Sequence, residues 1–336
     1  MKKTTIAVSA IAAIVLTATV TLTAEARTHP GRGHQKHPQP TPTPLSTPPP
    51  TPTPAATPLP TPTPIWSGTL PNFSHVFLIV MENEESTGIM GNNAAAYINA
   101  LATGHGLATQ YFAVSHPSLP NYLALTAGST FGIASDCTGC YVNATNIADQ
   151  VESSGRSWKG YLESMPSSCY VGDAYPYMQK HNPFIYYNDV RTNPARCAEH
   201  VVPFTQLSTD LVNGSVPNLA WITPNMCNDM HDCSIATGDA WLANVVPGIL
   251  ASSAFQNGGV LFITWDEGES SAGCCGNAAG GQVATLVIAP NGVAGLRSTI
   301  AETHYSLLRT IEDAWGLSAL GQAASAVAMR EYFRSQ

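Results

Sequence analysis

Acidic and amide side chains follow three apolar segments of this sequence. Glu82 and Asn83 come directly after HVFLIVM, and Asp266 and Glu267 come directly after VLFITW. The third segment, NLAWIT, leads into the polar loop PNMCNDMHDC, which carries Asn225, Asp229, His231 and Asp232. Carboxylate and amide oxygens are hard ligands that suit calcium, magnesium or manganese. The residue types therefore predict one divalent metal site, and they leave the identity of the metal open.

Any one of these residues also has a purely structural explanation, because Asp and Asn are favoured caps at the start of a helix. That explanation is weaker for the whole set, since all three segments are followed by the same kinds of side chain. A chain with only 11% charged residues has little reason to gather acids there for solubility.

A serine is available to use such a metal. Ser118 lies between two prolines in SHPSLPNYL, directly before the apolar run of residues 122–127, which predicts a position at a helix amino terminus. Free N–H groups and the helix dipole favour an anion there, and a metal would activate the hydroxyl for in-line attack on phosphorus. By itself the segment is explained by an ordinary helix cap. A lipase-like serine is disfavoured, because GxSxG does not occur in the sequence.

The hydrophobic pattern predicts the elements that position these residues. HVFLIVM, NLAWIT, VLFITW and VATLVIA are typical of short buried strands. Residues 239–250 and 303–315 have the pattern of helices, and Thr303 is a suitable cap for the second. This alternation predicts an α/β domain with a mainly parallel central sheet and helices on both faces. Ligands of such sheets bind beyond the carboxyl ends of the strands, so the three polar strand ends should meet at one edge.

Composition divides the chain into three regions. Residues 1–26 contain two lysines, an apolar run and the triplet Ala24-Glu25-Ala26, which predict a secretory signal peptide. An uncleaved membrane anchor is the alternative, although threonines dilute the apolar stretch. Residues 27–64 are rich in proline and threonine and predict a disordered linker. Residues 65–336 are long enough for one catalytic domain. We expect a secreted protein, free or at the cell surface, with no stable membrane span after cleavage.

The charge balance is acidic. The chain has 22 Asp and Glu against 14 Lys and Arg, which gives a formal net charge of −8. This balance argues against binding of nucleic acid, because sequence-independent binding of phosphate backbones requires basic surfaces.

Eight cysteines lie between residues 137 and 275. In an exported chain they favour disulfides over free thiols. Proximity in the sequence predicts the pairs Cys137–Cys140, Cys169–Cys197, Cys227–Cys233 and Cys274–Cys275. A zinc site built on Cys137-x-x-Cys140 is the alternative, and it is disfavoured because no matching CxxC or HxxxH partner occurs.

Six motifs occur in an order that resembles the bacterial phosphoesterase family. They are MEN at 81–83, HPSLPNY at 116–122, KHNPF at 180–184, TPNMCNDMHDC at 223–233, TWDEGE at 264–269 and THYSLLRTIED at 303–313. That family contains secreted acid phosphatases, phosphatidylinositol 3-phosphate phosphatases and phospholipases C of the non-haemolytic type. The resemblance spans nearly all of residues 73–317 and implies an alkaline-phosphatase-like fold.

The resemblance also implies roles for individual residues. Ser118 would be the nucleophile and would form a phosphoserine intermediate. The metal ligands would be Glu82, Asn83, Ser118, Asp266 and Glu267. Where family members have a paired aspartate this chain has Asp266-Glu267, so the reach of Glu267 to the metal is a point for the structure to test. Three histidines would bind phosphoryl oxygens or protonate the leaving group, namely His181, His231 and His304.

Each histidine also has a structural alternative. His181 could pack at the surface on Tyr186 or Tyr187, His231 could be salt-linked within its loop, and His304 could cap its helix or pack against the sheet. If the histidines do act on phosphate, their protonation below about pH 6.5 predicts an acidic optimum.

We therefore expect a secreted, metal-dependent phosphomonoesterase that acts on small phosphate esters or phospholipid head groups, phosphoinositides among them. The first alternative is a phospholipase C, which cleaves a diester. We expect it less, because family members of that kind tend to be longer, with further carboxy-terminal domains. An alternative of another class is a non-catalytic binding module displayed on the proline-rich stalk, which would have no need of the strand-end acids. The oligomeric state is left open by the sequence.

Overall fold

The computed structural model describes residues 69–334. The predicted signal peptide (residues 1–26), the predicted linker (27–64) and the predicted start of the domain at residue 65 lie outside these residues. Within them the chain has the predicted α/β fold, with a mostly parallel central sheet and helices.

Ten strands are assigned within residues 69–334. They are β1 Val76–Met81, β2 Gly106–Ala108, β3 Tyr111–Phe112, β4 Trp158–Leu162, β5 Val201–Pro203, β6 Leu219–Thr223, β7 Val260–Trp265, β8 Thr285–Ile288, β9 Arg297–Ser298 and β10 Glu302–Thr303. Eight of them form one sheet in the order β5-β4-β6-β1-β7-β8-β2-β9, and β3 pairs with β10.

The centre of the sheet consists of β6, β1 and β7. Every residue of these three strands is buried, as their continuous apolar runs predict for strands covered on both faces. The pairing is parallel on both sides of β1, with Ile79 opposite Ile222 and Met81 opposite Trp265. The three carboxyl ends therefore lie close together.

The sheet is not parallel throughout. The predicted strand VATLVIA forms β8, which pairs antiparallel with both β7 and β2. Strand β4 was not predicted, because Lys159 and Gly160 interrupt its apolar pattern. This strand pairs parallel with β6 and β5 and extends the sheet beyond the three central strands.

Ten α-helices are assigned within the same residues. They are α1 Ser86–Ile89, α2 Ala96–Gly104, α3 Ser118–Ala127, α4 Ile147–Ser153, α5 Asn188–Arg191, α6 Pro194–His200, α7 Thr205–Asn213, α8 Ile235–Ala251, α9 Ser253–Gln256 and α10 His304–Trp315. Helix α10 begins after Thr303, whose side chain caps it as predicted. Helix α8 begins four residues before the predicted start at 239, because Ser234 caps it. Helix α3 packs against α10, and α2 packs against α8.

All four predicted disulfides are present. The Cys137–Cys140 bond rules out the alternative of a zinc site on these two thiols. Over residues 69–334, no helix combines the length and the apolar character that a membrane span requires.

Candidate active site

Three neighbouring strands bring the predicted polar residues to one edge of the sheet. The Glu82 N–H donates to the Asp229 carbonyl (2.9 Å), and the Asp266 N–H donates to the Met81 carbonyl (2.9 Å). The Asn83 N–H donates to Asp266 Oδ1 at 3.3 Å. Asn83 has a φ of 50°, in the left-handed region that asparagine tolerates better than most residues. The residues after β1, β6 and β7 are thus tied to one another by backbone hydrogen bonds.

Ser118 is the first residue of α3 and is buried. Its Oγ lies 3.2 Å from Glu82 Oε2 and 3.4 Å from Glu267 Oε1. The preceding turn is held by Asn121, whose Oδ1 accepts hydrogen bonds from the backbone N–H groups of residues 114 and 115. The prolines and this amide therefore hold the hydroxyl against two carboxylates, which an ordinary helix cap does not require.

Glu82 lies at the centre of a buried polar cluster. The Tyr122 hydroxyl donates to Glu82 Oε1, and His181 Nε2 lies 3.2 Å from the same oxygen. His181 Nδ1 lies 3.4 Å from Asp229 Oδ2, and the imidazole stacks on the Tyr122 ring with centroids 5.5 Å apart. One ligand atom from each of Glu82, His181 and Asp229 lies within 4.8 Å of the other two. These three side chains therefore form a group with the composition of a metal site.

Burial makes the charges of this cluster unfavourable. It raises the pKa of Glu82 well above the ordinary value, and the charges of Asp266 and Asp229 raise it further. Burial followed by the charge of Glu267 raises the pKa of Asp266, and burial lowers the pKa of His181. Buried carboxylates of like charge are costly unless protons or a cation neutralise them. The electrostatics therefore favour binding of a cation.

Unpartnered atoms provide a second test of the fit to a metal. Within residues 69–334, four buried atoms at this edge have no hydrogen-bond partner: Asn83 Oδ1, His181 Nε2, Asp229 Oδ2 and Asp266 Oδ2. Buried polar atoms nearly always have a partner, so each such exception calls for an explanation. Oxygen and imidazole donors suit a divalent ion. The residues present fit a metal, and their chemistry does not fix its identity.

His304 is the first residue of α10 and is fully buried. Its Nε2 lies 2.5 Å from the backbone carbonyl oxygen of Asp266, and its Nδ1 lies 3.2 Å from the Tyr111 hydroxyl. Burial lowers the pKa of His304 to about 4. Because both ring nitrogens are engaged, this geometry favours positioning of the Asp266 backbone over proton donation to a substrate.

Glu267 has a second partner besides Ser118. His116 Nδ1 lies 2.5 Å from Glu267 Oε2, and His116 Nε2 lies 3.0 Å from the Ser270 carbonyl oxygen. The two carboxylate oxygens therefore point to different residues, one to His116 and the other to the Ser118 hydroxyl. Glu267 thus reaches the serine that the sequence analysis assigned as the nucleophile.

The amino terminus of α3 is occupied by a side chain. The Leu119 N–H donates to Asp136 Oδ1 at 3.0 Å, and Lys180 Nζ lies 3.0 Å from Asp136 Oδ2. Lys180 Nζ also lies 3.4 Å from His231 Nε2, and His231 Nδ1 lies 2.8 Å from Asp232 Oδ1. A lysine and a histidine thus face each other beside the helix that begins with the candidate nucleophile.

A polar cleft of about 480 Å³ opens at this edge. Its lining includes Asn83, Glu84, His116, Met230, His231 and Glu267. Candidate metal ligands and candidate phosphate-binding groups therefore line one opening.

The structure brings the predicted site residues to one end of the sheet. The five predicted metal-binding residues lie together, namely Glu82, Asn83, Ser118, Asp266 and Glu267. His181 lies inside the cluster with both ring nitrogens towards carboxylates, and it is not the surface residue of the structural alternative. His231 lies at the cleft, and His304 lies behind Asp266.

Four further residues of the site received no role from the sequence: His116, Tyr122, Asp136 and Lys180. Tyr122 could have been found, since it lies one helical turn after Ser118 and therefore on the same face of α3. Asp229 was among the predicted strand-end residues, although the resemblance did not include it among the metal ligands. Asp136 gave no signal, because it lies in an irregular loop far from the motifs in sequence.

Comparison with known proteins is consistent with this geometry. A model of the phosphoesterase family matches residues 74–318. The chain is 36% identical over 266 residues to the phosphatidylinositol-3-phosphatase of Mycobacterium tuberculosis, and the alignment covers 77% of this chain and 83% of that protein. It is 33% identical over 235 residues to the phosphate-repressible acid phosphatase of Penicillium chrysogenum, and this alignment covers 67% of this chain and 55% of that protein. The chain thus spans only about half the length of the fungal relative.

A solved structure supports the fold. The structure of a protein in the alkaline phosphatase superfamily from Vibrio parahaemolyticus aligns with a TM-score of 0.52 at 10% identity, over 79% of this chain and 74% of that one. At this identity the likeness concerns the fold alone, and it agrees with the predicted alkaline-phosphatase-like sheet. On the family match, the chain belongs to the phosphoesterase family and is a hydrolase acting on phosphoric ester bonds.

Proposed function

We propose that the chain is a metal-dependent phosphomonoesterase of the acid phosphatase type that acts through a phosphoserine at Ser118. One observation carries the proposal. A buried serine hydroxyl at the start of a helix lies within 3.4 Å of the carboxylates of Glu82 and Glu267, and Glu82 forms a candidate metal-binding group with His181 and Asp229. A serine held only as a structural cap needs neither carboxylate.

In the first step Ser118 Oγ attacks phosphorus as the bond from phosphorus to the leaving oxygen breaks. The hydroxyl proton passes to one of the two carboxylates within reach, Glu82 or Glu267. Phosphoryl transfer depends mainly on positioning and on stabilisation of charge. The rigid turn around Pro117 and Asn121 supports this step because it limits movement of the nucleophile.

The metal ligands in this proposal are Glu82, Asn83, Asp266 and Glu267, together with the Ser118 oxygen. His181 and Asp229 extend the set, since both lie beside Glu82 in the buried cluster. A divalent ion bound there supplies Lewis-acid chemistry, which lowers the pKa of the serine hydroxyl and neutralises phosphoryl charge.

His231 gives the leaving alcohol its proton, and water then hydrolyses the phosphoserine. The residue lines the cleft, and Asp232 fixes its ring through Nδ1. A histidine proton donor favours activity on the acidic side of neutrality. Export to an oxidising compartment is part of this proposal, and the four disulfides are consistent with it.

The substrates we propose are phosphate monoesters, with phosphoinositide head groups among the candidates because one relative is named a phosphatidylinositol-3-phosphatase. The name of the fungal relative, a phosphate-repressible acid phosphatase, supports the acid phosphatase type. Cleavage of a phospholipid diester is the outcome that would favour the phospholipase C alternative instead.

The proposal is tested by p-nitrophenyl phosphate hydrolysis between pH 4 and pH 9, with and without a chelator. We expect an optimum below neutrality, loss of turnover on chelation, and recovery when a divalent metal is returned. The variant Ser118→Ala should lose at least about 10³-fold in kcat while its melting temperature stays close to that of the wild type, because the nucleophile is removed and the backbone is unchanged.

Two results would overturn the proposal. Near-normal turnover in Ser118→Ala would remove the serine from the reaction, and full activity after metal removal verified by elemental analysis would remove the metal. A panel that pairs inositol phosphate monoesters with a phosphatidylcholine diester separates the monoesterase from the phospholipase C. Absence of turnover on every ester would leave only the binding module.

A further inference from the structure

Lys180 lies beside His231, which lines the cleft, and near the start of α3. Its Nζ is 3.0 Å from Asp136 Oδ2 and 3.4 Å from His231 Nε2. Asp136 in turn accepts the N–H of Leu119, the residue directly after the proposed nucleophile. The lysine is therefore two hydrogen bonds away from the backbone that carries Ser118.

The charge around Lys180 differs from that of a surface ion pair. Its side chain is only 14% exposed. Its Nζ lies between the carboxylate of Asp136 and the imidazole of His231. A dianionic phosphate that enters beside the acidic cluster of this site needs positive charge on the protein side.

The contact between Lys180 and His231 indicates where that anion fits. An ammonium has three hydrogens to donate and cannot accept one. His231 Nε2 accepts from Lys180 here, while Nδ1 is held by Asp232. The two side chains can both donate only if an acceptor lies between them, and a phosphoryl oxygen is such an acceptor.

We infer that Lys180 is a phosphate-binding residue, which donates through Nζ to a non-bridging oxygen of the ester and of the phosphate product. Asp136 holds the ammonium in place beside the start of α3 in the free protein. The inference rests on the proposed function, and it adds an ammonium contact to the phosphoryl group beside the contacts assigned to the metal and to His231.

A purely structural ion pair is the competing explanation, and the chain contains a matched example. Lys159 Nζ lies 2.7 Å from Asp210 Oδ2, and its side chain is 23% exposed. This pair joins β4 to α7, and Asp210 also binds the Tyr161 hydroxyl. Removing either lysine charge breaks one ion pair with one aspartate, but only Lys180 faces the cleft histidine.

The test is binding of inorganic phosphate to the metal-loaded protein, measured by titration calorimetry on the wild type, Lys180→Met, Lys180→Arg and Lys159→Met. Loss of a charge-assisted hydrogen bond should raise the phosphate Kd of Lys180→Met roughly tenfold or more. We expect partial recovery in Lys180→Arg and a change of less than about twofold in Lys159→Met. Melting temperatures recorded alongside report the structural part of each substitution.

A phosphate Kd in Lys180→Met within about twofold of the wild type overturns the inference, as does an equal rise in Lys159→Met. If Lys180→Met does not fold because Asp136 is left unpaired, the same comparison is made between Asp136→Asn and Asp136→Asn/Lys180→Met. Binding does not require turnover, so the two proposals fail separately. A wild type that binds phosphate through Lys180 but cleaves no ester refutes the enzyme proposal alone.

Discussion

Tyr122 and Ser118 are placed on one face of α3 by the helical repeat. Ser118 presents its Oγ to Glu82 Oε2, and Tyr122, four residues later, donates its hydroxyl to Glu82 Oε1. A carboxylate with both oxygens engaged has little rotational freedom. Tyr122 therefore orients the Glu82 carboxylate, whose remaining lone pairs face the buried cluster.

This geometry predicts that Tyr122→Phe weakens metal binding without unfolding the protein. The substitution removes one hydrogen bond to a buried carboxylate, which corresponds to about 1.5–3 kcal/mol and hence to roughly a tenfold or larger loss of metal affinity. The measurement is a chelator competition titration with metal content determined by elemental analysis.

The control for this prediction is Tyr187→Phe. Tyr187 is equally buried, and its hydroxyl contacts Thr126 Oγ1 on the same helix at 2.6 Å. We expect unchanged metal affinity in Tyr187→Phe. Equal losses in both variants would mean that Tyr122 affects the site only through the packing of α3.

Several of the residues that the sequence identified lie at the end of an element that the hydrophobic pattern delimits. Glu82 and Asp266 follow buried strands, and Ser118 begins a helix. His116 and Asp136 have no such mark. His116 contacts Glu267, 151 residues away, and Asp136 contacts Leu119, 17 residues away. Both lie in irregular backbone, so no local sequence pattern predicts these contacts.

At the scale of elements, the segment of residues 224–234 between β6 and α8 has the greatest influence on the site. It carries Asp229 into the buried cluster and His231 to the cleft. The disulfide between Cys227 and Cys233 closes this segment over six residues. Because both functional side chains lie between the two cysteines, the bond restricts the part of the chain that positions them.

This placement predicts that loss of the Cys227–Cys233 bond affects activity more than stability. Chain-entropy estimates give about 2 kcal/mol for closing a six-residue loop and about 3.6 kcal/mol for a 28-residue loop. The double variant Cys227→Ser/Cys233→Ser should therefore lose at least about tenfold in kcat/KM at 25 °C with a modest fall in melting temperature. Steady-state kinetics and thermal melts of the purified variant measure both effects.

The matched control is Cys169→Ser/Cys197→Ser, which opens the 28-residue loop. The Cys169 N–H donates to the Val201 carbonyl on β5, and Cys197 lies on α6, so this bond lies outside the 224–234 segment. We expect the larger fall in melting temperature and the smaller fall in kcat/KM at temperatures where the variant is folded. The reverse order would show that the 224–234 segment is held by its other contacts.

The elements themselves were predictable to different degrees. The three central strands are continuous apolar runs, so their position and the meeting of their carboxyl ends followed from the sequence. Strands β2, β5 and β9 have two or three residues each, and they exist because a neighbouring strand offers hydrogen bonds to them. The antiparallel direction of β8 was equally hidden, because direction depends on the path of the chain after Trp265 and not on the residues of the strand.

At the scale of the whole molecule, several carboxyl groups are buried in the fold of an acidic chain. Away from the proposed metal ligands, burial raises the pKa of Glu302 well above the ordinary value, and burial raises that of Glu312 to about 7. Such groups keep their protons in the folded state at pH values where the unfolded chain has released them. Stability then falls as the pH rises.

Glu312 allows this dependence to be measured away from the proposed metal. It lies on α10, eight residues after His304, and its Oε1 accepts the Leu320 N–H at 2.8 Å. The folded pKa of about 7 lies above the ordinary value of 4.5, so its contribution is fully present below about pH 4.5 and is lost as the pH rises towards 7. The variant Glu312→Gln cannot ionise at this position. Compared with it, the wild type should lose free energy of unfolding across this pH window, and each kcal/mol lost lowers the melting temperature by about 2–4 °C. Melting curves of both proteins from pH 4 to pH 8 test this, with exposed Glu199→Gln as the control. A difference between wild type and Glu312→Gln that stays constant with pH would show that Glu312 ionises alike in the folded and unfolded chain.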